Sequence, residues 1–87
     1  MRKRGIKYLR RLVEVYCLFT RWDAVTVIED GGFIHIVWIT PKMITAGDRR
    51  YMDVITTSRT FPKKDIPKRI ASYREKIRRE FKNRNNA

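Results

Sequence analysis

Hydrophobic spacing changes character along the chain, and each change marks an element. From residue 6, Ile6, Leu9, Leu12, Val13, Tyr16, Cys17 and Thr20 recur at helical intervals. At about 100° per residue they share one side. Lys3, Lys7, Arg10, Arg11, Glu14 and Arg21 fall opposite. This predicts an amphipathic helix with a basic outer face. The competing reading, a strand over "VEVYCLF", rests on its β-branched and aromatic content. The spacing favours the helix.

The period then shortens to two. In "WDAVTVIEDGGFIHIVWITP" two β-rich runs flank "EDGG", a strong hairpin signal. A two-residue turn at Asp30–Gly31 or Gly31–Gly32 sets Val27 against Ile34 or Ile36. Either choice puts Val25, Val27, Ile34, Ile36 and Trp38 on one face. Thr26, Ile28, Phe33, His35, Val37 and Ile39 take the other, which is less polar than a solvated face should be. Pro41 ends the second strand, "PKMITAGDRR" reads as a loop turning near Gly47, and "RYMDVITTS" is a third strand.

Helical spacing returns near the C-terminal end. Ile66, Ile70, Tyr73, Ile77 and Phe81 form a narrow stripe. Asp65 stands at the N-cap, and Pro67 lies in the first turn, where its missing N–H costs nothing. Glu75 with Arg79, and Glu80 with Arg84, are favourable i, i+4 pairs. Residues 1–5 and 83–87 are expected to fray. The elements assemble into one α+β domain over residues 1–87, ordered α-β-β-β-α. A three-stranded antiparallel sheet would carry both helices on the face of Val25, Val27, Ile36 and Trp38, burying both stripes against it.

Composition adds a heavily charged exterior. The 87 residues are 34% charged and 43% apolar, and a chain this short buries about two thirds of its surface or less. The net charge is +12 and unevenly placed: residues 1–11 carry +6, residues 12–60 carry −1 and residues 61–87 carry +7. Such asymmetry points to a polyanionic partner, most often nucleic acid. Cys17 is the one cysteine and His35 the one histidine, so neither a disulfide framework nor a zinc site can be built from them. A reducing, cytoplasmic setting is expected. The apolar stretch after the basic start is broken by Glu14, Arg21 and Asp23, which argues against a signal peptide. No run approaches the length of a membrane-spanning helix.

Catalytic chemistry finds little support; composition alone leaves open a small basic ribonuclease that uses Arg, Lys and Tyr rather than a metal. His35 lies mid-strand in an apolar run, the acidic residues lack metal-ligand spacing, and "EDGGF" is not a phosphate loop. The expectation is a non-enzyme without cofactor or metal. Phosphate contact is the positive case, since each Lys or Arg contact adds a counterion-release contribution. The sharpest local candidate is Lys63, Lys64, Lys68 and Arg69, clustered where a helix dipole favours an anion. Arg10 and Arg11 on the first helix, and Arg74 and Arg78 on the last, extend the surface. Arg49 and Arg50 beside Tyr51 form a further candidate, able to stack on an unpaired base.

Helix, three strands and a lysine-led final helix are similar in topology to double-stranded-RNA-binding domains, where a lysine cluster grips phosphates across a groove. "EDGG" replaces the Gly-Pro-His-like loop of that family, and "KKDIPKR" departs from its lysine spacing. In size and style the chain also resembles small accessory proteins of phages and mobile elements, which dock on a host enzyme or nucleoprotein complex. For that reading the candidate interface is Ile28, Phe33, His35, Val37 and Ile39. A helix over those residues would leave the basic surface as the working face. Exposure would favour a protein partner or self-association.

Overall fold

A computed structural model describes residues 5–85. Helix α1 (Ile6–Cys17) is followed by strands β1 (Ala24–Asp30), β2 (Phe33–Ala46) and β3 (Arg49–Pro62). A 3-10 turn over Lys63–Asp65 then leads into helix α2 (Ile66–Asn85). The sheet is antiparallel with order β1-β2-β3, so the expected α-β-β-β-α arrangement is the one observed.

Both hairpins turn on two residues that begin with glycine. Asp30 pairs with Phe33 around Gly31–Gly32, and Ala46 pairs with Arg49 around Gly47–Asp48. Gly31 has φ 60° and Gly47 has φ 63°, a conformation that glycine adopts without the Cβ penalty. The first turn fixes Val27 opposite Ile36 and Val25 opposite Trp38. Strand parity then places Val25, Val27, Ile34, Ile36, Trp38 and Phe61 on one face. Leu9, Val13 and Cys17 of α1, with Ile70 and Tyr73 of α2, join that face in a single core. Leu9 and Ile34 are fully buried. Burying such side chains contributes about 1.5–3 kcal/mol each.

Pro41 does not end β2. The strand continues to Ala46, with Pro41 opposite Val54. The Asp23 N–H donates to the Ile39 carbonyl, so odd-numbered residues of this stretch direct their backbone toward β1. β1 pairs no further than Ile39, and Pro41 therefore presents its missing donor to an open edge, where a ladder loses nothing. Residues read as a loop thus form a two-stranded arm reaching about 23 Å past the end of β1 at 3.3 Å per residue. The Cα extents are 59 × 42 × 15 Å, and the radius of gyration is 16.0 Å. A compact chain of this length would have about 12 Å. The molecule is a thin slab with an arm.

Helix ends differ from the sequence pattern in three ways. α1 stops at Cys17 because Thr20 folds back, its hydroxyl donating to the Cys17 carbonyl at 2.7 Å and accepting from the Trp22 N–H at 3.2 Å. Asp65 closes the 3-10 turn and does not stand alone as an N-cap. α2 runs through Asn85, so residues 83–85 are helical; the fraying expected at residues 1–4 and 86–87 lies outside the described residues. The expected ion pairs of α2 also change. Glu75 accepts from Arg78 at 3.3 Å, not from Arg79, and Arg84 lies over the Phe19 ring at 4.8 Å.

Candidate nucleic-acid interface

The two sides of the slab have different chemistry. Among strand residues, parity puts Lys42, Arg49 and Arg59 on the helix-bearing side and only Arg50 on the open side. The helices add their outward cations to the former. Lys7, Arg10 and Arg11 line a shallow groove on α1 together with Tyr8 and Glu14. Arg10 also donates to the Val27 carbonyl at 3.2 Å, which ties α1 to the outer edge of β1 and spends one guanidinium donor on the fold.

The lysine cluster before α2 divides into fold and surface. Lys63 meets Glu29 at 2.8 Å, and its N–H donates to the Gly32 carbonyl at 2.9 Å. It pins the start of the helical segment to the first hairpin. The Arg69 guanidinium lies 4.9 Å over the Phe61 ring, a cation–π placement. Lys64 and Lys68 are left exposed, without an ion pair among the described residues. Arg74 and Arg78 share an exposed hollow on α2 with Ala71 and Glu75, whose carboxylate offsets part of their charge. Arg49 and Arg50 sit at the arm's tip, on opposite faces and away from the helices. The structure therefore groups Lys64 and Lys68 at one end of α2, and keeps the arm's arginines apart from them.

Two cations that sequence reasoning passed over lie closer to the core. Arg59 stands opposite Ile36, on the helix-bearing side of a strand that the helices leave bare. Lys76 holds its ammonium 4.9 Å over the Tyr73 ring and 5.7 Å from that of Tyr16. Burial and then Arg59, Arg69 and Arg79 pull the Lys76 ammonium below the ordinary lysine value. Tyr73 is pushed up by burial, against the opposing effect of Arg59 and Arg69. Arg59 was legible only through the Gly47 turn, which fixes the pairing register once 41–48 is read as hairpin. Lys76 was hidden between stripe residues 73 and 77.

The second sheet face is uncovered. Ile28 is 47% exposed and Phe33 52%, while Val37 and Ile39 are half-buried by their strand neighbours alone. His35 has its Nδ1 2.8 Å from the Thr60 hydroxyl and its Nε2 3.6 Å from the Asp30 carboxylate. The same parity continues the apolar stripe onto the arm, where Met43 faces Met52 and Pro41 faces Val54. No group of three or more metal-ligating side chains occurs among the described residues, and no described helix is long and apolar enough to cross a membrane. The chain matches no family model, no curated protein and no solved structure.

Proposed function

We propose that this is a non-catalytic nucleic-acid-binding protein, RNA or DNA, whose helices present Lys and Arg to phosphates. The observation that carries the reading is the charge asymmetry of the slab: exposed cations crowd the helix-bearing side, and the strands give the open side Arg50 alone. Phosphate neutralisation of this kind is largely indifferent to sequence. A labelled RNA and a DNA duplex titrated across a salt series test it. Affinity should fall by about 0.7 to 0.9 log units per contacted phosphate for each tenfold rise in salt. A flat salt response, or no binding at low salt, would refute it.

A second reading is favoured by the uncovered sheet face. Here the chain is an accessory or inhibitor protein that docks on an enzyme or a nucleoprotein complex through Ile28, Phe33, Val37 and Ile39. Exposed Ile28 and Phe33 beside half-buried Val37 and Ile39 make this face more apolar than a solvated strand pair. The two surfaces are back to back on a slab 15 Å thick, so occupation of one leaves the other free. The basic side would then steer the chain toward an acidic partner or a partner's bound nucleic acid.

A further inference from the structure

The helices cover β1 and the first half of β2 and leave β3 exposed over nearly its whole length. Between α2 and the bare strand this opens a cavity of about 220 Å³. Tyr16, Trp38 and Tyr73 form its inner wall, and Trp22 is a half-buried ring at its side. Arg59 from β3 and Lys76 from α2 both line it. The inner rings hold one another in place: Tyr16 meets Trp38 edge-on at 6.1 Å and Tyr73 at 5.8 Å. Tyr73 is buried and Lys76 lies over its ring, so the ammonium is braced on aromatic faces, without a carboxylate partner among the described residues. The Arg69 Nε, in the same cationic group, is buried with no hydrogen-bond partner among the described residues.

This is an arrangement that an anion would complete. Arg59, Arg69 and Arg79 all lower the pKa of the Lys76 ammonium, and Lys76 has no ion pair among the described residues. Like charges gathered around a partly desolvated amine oppose folding, and an anion between them reverses that sign. A free anion would leave the aromatic side unused, whereas a base brings a flat face that stacks on an indole. An unpaired base can splay out of its strand into a cavity of this size and stack on an aromatic ring.

We propose that this cleft binds one nucleotide unit of single-stranded nucleic acid, its phosphate between Lys76 and Arg59 and its base against Trp22. The assignment rests on the helix-bearing side being the nucleic-acid surface, and it adds the class of strand that this part of the surface takes. Charge-assisted contacts to phosphate and stacking to the base each contribute about a tenfold or larger share of the affinity.

Trp22 and Trp38 are the chain's two tryptophans, and both line the cleft. Their indole N–H signals in proton–nitrogen NMR are therefore local reporters, assigned with Trp22→Phe. The probes are uridine monophosphate, uridine, inorganic phosphate and, in a parallel titration, a short DNA duplex. Uridine monophosphate should shift the indole signals saturably, with uridine and phosphate at least about tenfold weaker. Lys76→Met keeps the stem on Tyr73 and removes the charge; Arg59→Gln alters an exposed strand residue. Each should weaken uridine monophosphate about tenfold. Lys76 below its ordinary value means that the folded state holds its proton less well than the unfolded one, so stability rises with pH through that window. Lys76→Met should accordingly melt no lower than the parent at neutral pH, which separates lost binding from lost folding.

Unshifted indole signals with uridine monophosphate, or parental affinity in both variants, would overturn the cleft assignment. Duplex binding in that case leaves the broader phosphate-surface reading standing. Saturable uridine monophosphate binding without duplex binding supports the cleft and removes the duplex part of that reading.

Discussion

Lys64 and Lys68 are exposed and have no ion pair among the described residues, while their neighbours Lys63 and Arg69 are engaged by Glu29 and Phe61. Replacing only Lys64 and Lys68 by Gln therefore removes the cluster's available charge and leaves its structural contacts alone. With one phosphate per lysine, the slope of log affinity against log salt for a DNA duplex should flatten by about 1.8. If the electrostatic contribution vanishes near 1 M salt, that is about a sixtyfold loss at 0.1 M. Lys82→Gln with Arg84→Gln removes the same formal charge farther along α2, where Arg84 is held on Phe19. It should cost severalfold less. Anisotropy titrations of a labelled duplex at four salt concentrations give both slopes. Equal losses per charge in the two double variants would mean that bulk charge alone matters, and that placement on the fold contributes nothing.

Phe33→Asp changes a half-exposed residue on the open face, so it should melt within a few degrees of the parent, leave nucleic-acid affinity unchanged, and abolish any self-association seen by light scattering or any stoichiometric protein complex that survives nuclease treatment. Ile34→Ala empties a fully buried position and should cost about 2–5 kcal/mol, a fall of at least about 10 °C in Tm by differential scanning fluorimetry. Tyr73 is raised above the ordinary tyrosine value chiefly by burial, so above about pH 10 the unfolded chain ionises first and the fold loses stability as pH climbs to the folded value. Tyr73→Phe should remove that part of the alkaline loss in a series of melts, and an unchanged profile would place the effect elsewhere.

Much of this architecture was legible because periodicity and turn chemistry agreed. Gly31–Gly32 set the first register, and helical spacing outweighed the β-rich composition of "VEVYCLF". The arm was missed for a local reason: a proline that normally ends a strand sits where its neighbour strand has already stopped. Met43, Met52 and Val54 were lost from the open face along with it. The α2 stripe proved only half a core stripe. Ile70 and Tyr73 are buried, whereas Phe81 lies past the sheet and packs on Phe19 at 5.1 Å. Among the basic residues, sequence spacing identified the cluster before α2 but could not divide it. Glu29 claims Lys63 from a strand thirty-four positions away, and no local pattern reports such a pairing.

Lysine acetylation footprinting tests most directly whether the helices, and not the projecting arm on the same side of the sheet, carry the nucleic-acid contacts. The protein alone and saturated with a single-stranded oligonucleotide would be labelled at low reagent and read by mass spectrometry. Lys64, Lys68 and Lys76 should lose reactivity on binding, while Lys42 on the projecting arm keeps its own. Protection spread evenly over all lysines, or greatest at Lys42, would contradict a nucleic-acid surface built on the helices.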